Sequence, residues 1–285
     1  MPAFRGPEVS ISSPYDVIFF DLDGTLHLSG KPFPNLVEII NSTAESHGTI
    51  FVAVTNNTSM PPSQYRQKLI HMGLRADAFQ ICSPLSVLAT APEEDIPRRI
   101  FALATRDVSD FLIEHGYDAS CGRPEAVLVT FDVEVDYAKL TAACQHLTAG
   151  AQLYSTHVDI RCPTSNGFIP DCGALTHLLH SVTSVEPVRD FGKPSEQMAS
   201  YLKRTYLTGN QRAVIVGDRL YTDVALGHAM GIDSVLVLSG EARADDPGLN
   251  TANRPTFVHE SFVAFLQNTY SFERGVPSAS RCAAV

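Results

Sequence analysis

No C-x-x-C pair occurs among the six cysteines, which stand apart at Cys82, Cys121, Cys144, Cys162, Cys172 and Cys282. In a chain of 285 residues that scatter argues against a disulfide framework or a zinc site built on paired thiols, and leaves buried or free thiols. A basic face is also missing. The 21 Lys and Arg against 31 Asp and Glu leave a formal charge of −10, which argues against a general grip on nucleic acid. Such acidity does not exclude a small phosphorylated molecule, provided a metal and a few local cations offset the charge. Nothing approaches an apolar run long enough to span a membrane, and the opening "MPAFRGPEVSISSP" lacks the apolar centre of a secretion signal. A cytoplasmic protein is expected. The closing Cys282-Ala283-Ala284-Val285 has the loose shape of a prenylation box, but Val is poorly favoured as the last residue and no polybasic run precedes it. An unmodified tail is the expectation.

What is present is alternation. "VIFFD" (17–21) is followed by "NLVEIINSTAESHG" (35–48), where Leu36, Ile39, Ile40 and Ala44 share one helical face before a glycine stop. "TIFVAVTN" (49–56) precedes the helical "SQYRQKLIHMG" (63–73), and "AVIVGD" (213–218) precedes "YTDVALGHAMG" and then "SVLVLSG" (234–240). Continuous Val, Ile and Phe runs alternating with helices indicate strands of a parallel sheet covered on both faces. A second set of such units lies between about 83 and 186, with apolar runs "RIFALAT" (99–105), "AVLVTFD" (126–132) and "AQLYSTH" (151–157). It is long enough for its own small core. The expected organisation is α/β, with a core at 1–82, an inserted domain at 83–186 and the core resumed at 187–285.

The chemistry begins at "YDVIFFDLDGT" (15–25), where an apolar run ends in Asp21 and Asp23. Residues two apart on a strand point the same way. Both carboxylates would therefore face the crevice beyond the strand's carboxyl end, where open α/β sheets bind ligands. Gly24 lets the chain turn and brings backbone amides near an anion. Two like charges held close resist joint ionisation, so one keeps a proton unless a cation intervenes. That asymmetry suits a nucleophile beside a general acid and base. A calcium loop fails here, because its glycine comes too early and position twelve is Pro32. An acidic turn is the plain alternative.

Three further strand ends supply what phosphoryl transfer would need. "AVTNNTS" places Thr55, Asn56 and Asn57 after the second apolar run, with a hydroxyl, amides and backbone N–H groups that could bind phosphate oxygens. "FGKPS" offers Lys193 as a cation on a stiff turn. "VIVGDRLYTDV" carries Asp218, which could complete a magnesium site, and Asp223, which could orient the ligands or Lys193. Each alone is an ordinary turn, surface charge or helix cap. All four, in order, at the ends of separate apolar runs, are not.

The set D-L-D-G-T, T-N-N, G-K-P and G-D-R-x-x-T-D resembles the haloacid dehalogenase superfamily of phosphohydrolases. The large insertion between the second and third motifs resembles the NagD-like branch with para-nitrophenylphosphatase, pyridoxal-phosphate phosphatase and phosphoglycolate phosphatase. The resemblance spans about 15–270 and implies a Rossmann-like core with a mobile α/β cap. By it, Asp21 would be the nucleophile forming an aspartyl-phosphate, and Asp23 would protonate the leaving oxygen and then activate water. Mg²⁺ would be held by the Asp21 and Asp218 carboxylates and the Asp23 backbone carbonyl. Thr55 and Asn56, with Asn57 beside them, would hold the phosphoryl group, Lys193 would bridge Asp21 and phosphate, and Asp223 would stand behind the metal ligands. Charge counting agrees: Asp21, Asp218, Asp223 and a phosphate dianion sum to about −5, and Lys193 leaves about −4. A divalent cation suits that load.

In this family the cap selects the leaving group. The matching segment is "YSTHVDIRCPTSNGFIPDCGAL" (154–175), which departs from relatives at His157, at Arg161-Cys162-Pro163 and at "PDCG". Asp159, Arg161 and Cys162 are expected to line the cap's roof, with Arg161 able to read an extra carboxylate or phosphate; a purely structural loop is the alternative. His177 and His180 are expected to cap or pack their helix, having no acidic neighbour besides Asp171. The expected function is a Mg²⁺-dependent phosphatase acting on a small phosphorylated metabolite. A phosphotransferase and a non-catalytic phosphate-binding or regulatory protein are the alternatives, and a homodimer through the cap stays open.

Overall fold

The computed structural model describes residues 15–119, 122–164 and 166–270. The unmodified tail expected around Cys282 lies outside the described residues, as does Cys121. In chain order the first elements are β1 (Val17–Phe20), the short hairpin β2 (His27–Leu28) and β3 (Lys31–Pro32), α1 (Leu36–His47) and β4 (Ile50–Val54). Next come α2 (Pro62–His71), β5 (Phe79–Cys82) and α3 (Pro84–Leu88). The inserted segment follows with β6 (Ile100–Leu103), α4 (Arg106–Glu114), β7 (Ala126–Val129), α5 (Tyr137–Thr148) and β8 (Gln152–Ser155). It continues through β9 (Arg161–Thr164), β10 (Gly167–Pro170), α6 (Cys172–Thr183) and β11 (Pro187–Asp190). The chain then forms α7 (Glu196–Tyr206), β12 (Ala213–Gly217), a π-helical turn (Leu220–Val224) entering α8 (Ala225–Met230), β13 (Asp233–Val237), β14 (Phe257–His259) and α9 (Phe262–Thr269).

Six of these strands form one parallel sheet in the order β14-β13-β12-β1-β4-β5. Its alternating residues feed two cores. Val17, Phe19, Val52, Val54 and Ile215 pack toward Leu88, Met198, Leu202 and Leu226. Ile18, Phe20, Phe51, Val214 and Val216 pack toward Leu36, Ile40, Leu69, Phe262 and Phe265. Both faces are covered, which is why the strands are apolar throughout instead of alternating with polar residues. Truncating Phe19 or Phe20 to Ala would cost about 3–5 kcal/mol.

The inserted segment builds a second parallel sheet in the order β11-β8-β7-β6. Leu103, Val127, Val129 and Leu153 face Leu147, Leu175 and Leu179 on α5 and α6, while Ile100, Leu128 and Tyr154 join the same apolar cluster as Val17 and Met198. The α/β core with an α/β cap is thus present. β11 pairs with β8, so the cap sheet ends at Asp190, four residues past the expected boundary at 186. The signal is weak because β11 begins with a proline and is largely exposed. No helix among the described residues is long and apolar enough to cross a membrane. Cys82, Cys144, Cys162 and Cys172 are free thiols.

Candidate active site

The site lies at the carboxyl edge of the three central strands. Phe20 stands opposite Ala53 on β4 and Val216 on β12, so all three strands stop at the same level. The residues immediately beyond, Asp21, Thr55 and Asp218, therefore become neighbours although the chain separates them widely. The Asp21 N–H donates to the Val216 carbonyl at 2.9 Å and fixes the first of them.

Asp23 follows on a tight turn. Gly24 has φ +85 and donates its N–H to the His27 carbonyl at 2.8 Å. A side chain at Gly24 would be strained and would collide with the Asp218 carboxylate. His27, buried beside the turn, brings its Nδ1 to 3.3 Å from Asp23 Oδ1.

Lys193 arrives from the far side, just after β11 leaves the cap sheet. Its buried ammonium donates to Asp21 Oδ1 at 2.5 Å, Asp223 Oδ1 at 2.7 Å and the Val54 carbonyl at 2.9 Å. All three ammonium donors are thereby used. Burial alone would lower the Lys193 pKa, but Asp21 and Asp223 more than offset this and hold it above the ordinary value. The second oxygen of Asp223 accepts the Arg219 backbone N–H at 3.2 Å.

Asp218 is the group left wanting. Its Oδ2 accepts from Glu241 N at 2.6 Å, but its buried Oδ1 has no hydrogen-bond partner. Burial, then the charges of Asp21 and Asp223, push its pKa up to about 8. Oxygens of Asp21, Asp218 and Asp223 lie within 4.8 Å of one another, an arrangement that could hold a metal ion. A buried carboxylate oxygen without a donor, crowded by two other carboxylates, is what a cation would satisfy. Asp223 is pushed up to about 6 by burial, with Lys193 opposing. Desolvation also raises the Asp23 carboxyl; His27 opposes and Asp21 adds to the rise.

The cavity above these groups is lined by Asp21, Asp23, Thr55, Asn56, Asn57 and Lys193 from the expected set. From the cap's expected roof, Asp159 and Cys162 line it too, but Arg161 does not. With Cys162 turned inward, the exposed Arg161 lies over the Phe168 ring at 4.3 Å. Its expected role in reading substrate is therefore not supported by its placement.

The T-N-N segment also differs from expectation in its side chains. The Asn57 side-chain Oδ1 accepts from the backbone N–H and the hydroxyl of Ser59, at 3.0 and 2.7 Å. Both amide hydrogens of Asn56 are taken, by Asp159 Oδ2 at 2.9 Å and the Lys193 carbonyl at 3.1 Å, and its oxygen accepts the Lys193 N–H at 2.7 Å. The Asn56 amide is therefore saturated, whereas only the side-chain oxygen of Asn57 is engaged. The Thr55 hydroxyl accepts from the Asn57 N–H at 3.1 Å and keeps its own proton to donate.

Four cavity residues carried no expectation of a role there: Arg219, Thr222, Asp171 and Pro163. The first two lie inside the G-D-R-x-x-T-D string, so the signal was present without an assignment. Asp171 is held by His157 Nε2 at 2.8 Å and caps α6 by accepting the Cys172 N–H at 2.7 Å. His180, as expected, finishes its helix, with Nδ1 at 3.1 Å from the Val185 carbonyl.

Known proteins resemble this chain over most of its length. The haloacid dehalogenase-like hydrolase profile matches residues 18–118, and a second HAD-hydrolase-like profile matches 190–265. The 5'-nucleotidase YutF of Bacillus subtilis is 27% identical over 255 residues, covering 88% of this chain and 98% of that protein. The 4-nitrophenylphosphatase of Thermotoga maritima superposes with TM-score 0.81 at 30% identity, over 90% of this chain and 98% of the other. Glycerol phosphate phosphatase of Mycobacterium tuberculosis, solved in complex with magnesium, shares the fold with TM-score 0.75 at 24% identity, over 90% and 77%.

Proposed function

This chain belongs to the haloacid dehalogenase-like hydrolases, in their NagD-like branch, and we propose that it is a Mg²⁺-dependent phosphatase of small phosphate monoesters. The observation that carries the reading is the row Asp21–Lys193–Asp223 beside Asp218, whose buried oxygen lacks a donor. The Asp21 and Asp218 carboxylates, with the Asp23 backbone carbonyl, would hold Mg²⁺. When bound, the ion would neutralise the acidic cluster so that an anionic phosphate can approach.

The chain's own residues do the remaining work. A carboxylate oxygen of Asp21 attacks phosphorus and forms the aspartyl-phosphate as the ester P–O bond breaks. Asp23, whose carboxyl burial and the neighbouring Asp21 charge raise above its ordinary value against the pull of His27, gives a proton to the departing alkoxide. Asp23 then takes a proton from water, whose oxygen attacks the phosphoryl group and frees Asp21 and inorganic phosphate. The Thr55 hydroxyl donates to phosphoryl oxygens, and Lys193 holds Asp21 in line.

The cap wall narrows the substrate. Asp171 presents a carboxylate to the cavity, while Arg219 is already shared between Asp159 at 3.6 Å and Glu241 at 3.1 Å. A neutral, hydroxyl-bearing leaving group fits this wall better than one with a second anionic group. A phosphate-release assay on 4-nitrophenyl phosphate, glycerol phosphate and nucleoside 5′-monophosphates, with and without Mg²⁺, tests the reading. Release from at least one ester only with the metal is expected; none from any ester, or equal release in EDTA, overturns it.

A further inference from the structure

Five side chains from four separate segments close a ring around the site. Asp159 of the cap accepts from Asn56 Nδ2 at 2.9 Å. Asn56 clamps the backbone of Lys193 at two points, accepting its N–H at 2.7 Å and donating to its carbonyl at 3.1 Å. The Lys193 ammonium reaches Asp223 at 2.7 Å, and Asp223 accepts the Arg219 backbone N–H at 3.2 Å. The Arg219 guanidinium returns to Asp159, its Nη1 at 3.6 Å from Oδ1. Asp159 is 7% exposed and Asn56 also 7%, so these contacts are shielded from water and strengthened by low local polarity.

Asp159, in the loop between β8 and β9, is the ring's single member from the inserted cap segment. It follows β8, and its carbonyl is pinned by the Gly173 N–H at 2.8 Å, at the start of α6. Asn56 and Arg219 sit on core loops, Asp223 in the π-helical turn and Lys193 on its own turn. Besides the chain itself, where the Phe191 N–H donates to the Thr156 carbonyl at 3.3 Å, the cap reaches the catalytic lysine through one carboxylate and one amide.

We infer that Asp159 is a positioning residue, not a substrate-reading one: by engaging Asn56 and Arg219 together it holds the Lys193 backbone where its ammonium can bridge Asp21 and Asp223. Resting on the phosphatase reading, this deepens it by assigning the coupling between cap seating and the hydrolytic groups. With Asp159 removed, one Asn56 N–H and the Arg219 head lose their cap partner. The amide then has reason to turn away from Lys193 and satisfy itself elsewhere. Displacing the lysine disturbs the transition-state geometry for every ester alike.

The test uses the full chain as wild type, Asp159→Ala and Asp159→Asn, the last keeping an acceptor for Asn56 but no charge for Arg219. Two readouts are needed. Hydrogen exchange at the Lys193 amide, followed without substrate or metal, should quicken at least about tenfold in the Ala variant and by less in the Asn variant. With Mg²⁺, kcat should fall at least about tenfold on both 4-nitrophenyl phosphate and glycerol phosphate while KM moves less than about threefold. Unchanged exchange at Lys193, or a kcat loss confined to one ester, overturns the inference. A lowered Tm with normal kcat per folded molecule also overturns it, leaving Asp159 a stability residue only. Should the wild type release no phosphate, the proposed function falls, and the exchange result alone decides whether Asp159 positions Lys193.

Discussion

The Lys193 ammonium stands 2.5 Å from the Asp21 carboxylate although 172 positions separate them in the chain. Asp223 meets the same ammonium from its other side at 2.7 Å, so one buried cation faces two carboxylates, that of Asp223 buried and that of Asp21 partly open to the cavity. Removing a charge from this set has opposite consequences depending on which member goes. Asp21→Asn leaves a balanced Lys193–Asp223 pair. It should abolish turnover, by at least about a thousandfold, while the thermal midpoint stays near that of the wild type. Lys193→Met leaves the carboxylates uncompensated and should lose stability by about 3–5 kcal/mol as well as activity. Phosphate release and thermal unfolding on the two variants separate these outcomes.

Asp218 ties folding to the metal. Its partnerless Oδ1 and its upward-shifted pKa of about 8, caused first by burial and then by Asp21 and Asp223, mean that a bound cation should stabilise the protein. Millimolar Mg²⁺ should raise the melting temperature of the wild type, and Asp218→Asn should remove most of that increment. Gly240→Ala is expected to do the same, because its new methyl would collide with the Asp218 carboxylate. A full Mg²⁺-dependent rise in either variant would count against Asp218 as a ligand.

Asp190, at the end of β11, gives a pH signature away from the metal cluster. Burial pushes its carboxyl up to about 6, with the Gly192 N–H and His157 opposing and Asp159 adding to the rise. Because the folded pKa exceeds the unfolded one, the folded state binds more protons between them. The associated stability is present below about pH 4 and lost as pH rises through about 6. Asp190→Asn should therefore stabilise the protein at pH 7–8, on the order of 2 kcal/mol, and make no difference near pH 4. Urea unfolding of both proteins across that range is the measurement.

Arg161 is expected to matter little. It is exposed, stacked on Phe168 and outside the cavity lining. Arg161→Ala should alter kcat/KM by less than about twofold on neutral and acidic esters alike. Replacing its neighbour Cys162, which lines the cavity, with Phe should raise KM for the bulkier esters first. A selective loss on acidic esters in Arg161→Ala would restore the role its sequence position suggested.

Much of this architecture is legible without coordinates. Apolar runs alternating with helical periods announce a doubly covered parallel sheet, and "VIFFD", "FVAVT" and "VIVGD" each end in a polar residue at the carboxyl edge. Such patterns are local: side-chain alternation and turn chemistry act over a few residues, so Asp21, Thr55 and Asp218 could be placed from the chain alone. The boundary near 186 was less accessible, since an exposed edge strand opening with Pro187 carries little apolar signal.

Which atoms of a side chain remain free is a different kind of question, and only the tertiary structure answers it. The Asn56 amide is an available donor in sequence, yet its partners lie 103 and 137 positions away and take both of its hydrogens. Arg219 enters the cavity, and Arg161 leaves it, through strand register and through contacts between units that share no local pattern. Local chemistry selected the reactive groups; long-range packing and hydrogen-bond saturation decided which of them face the substrate and which hold the others still.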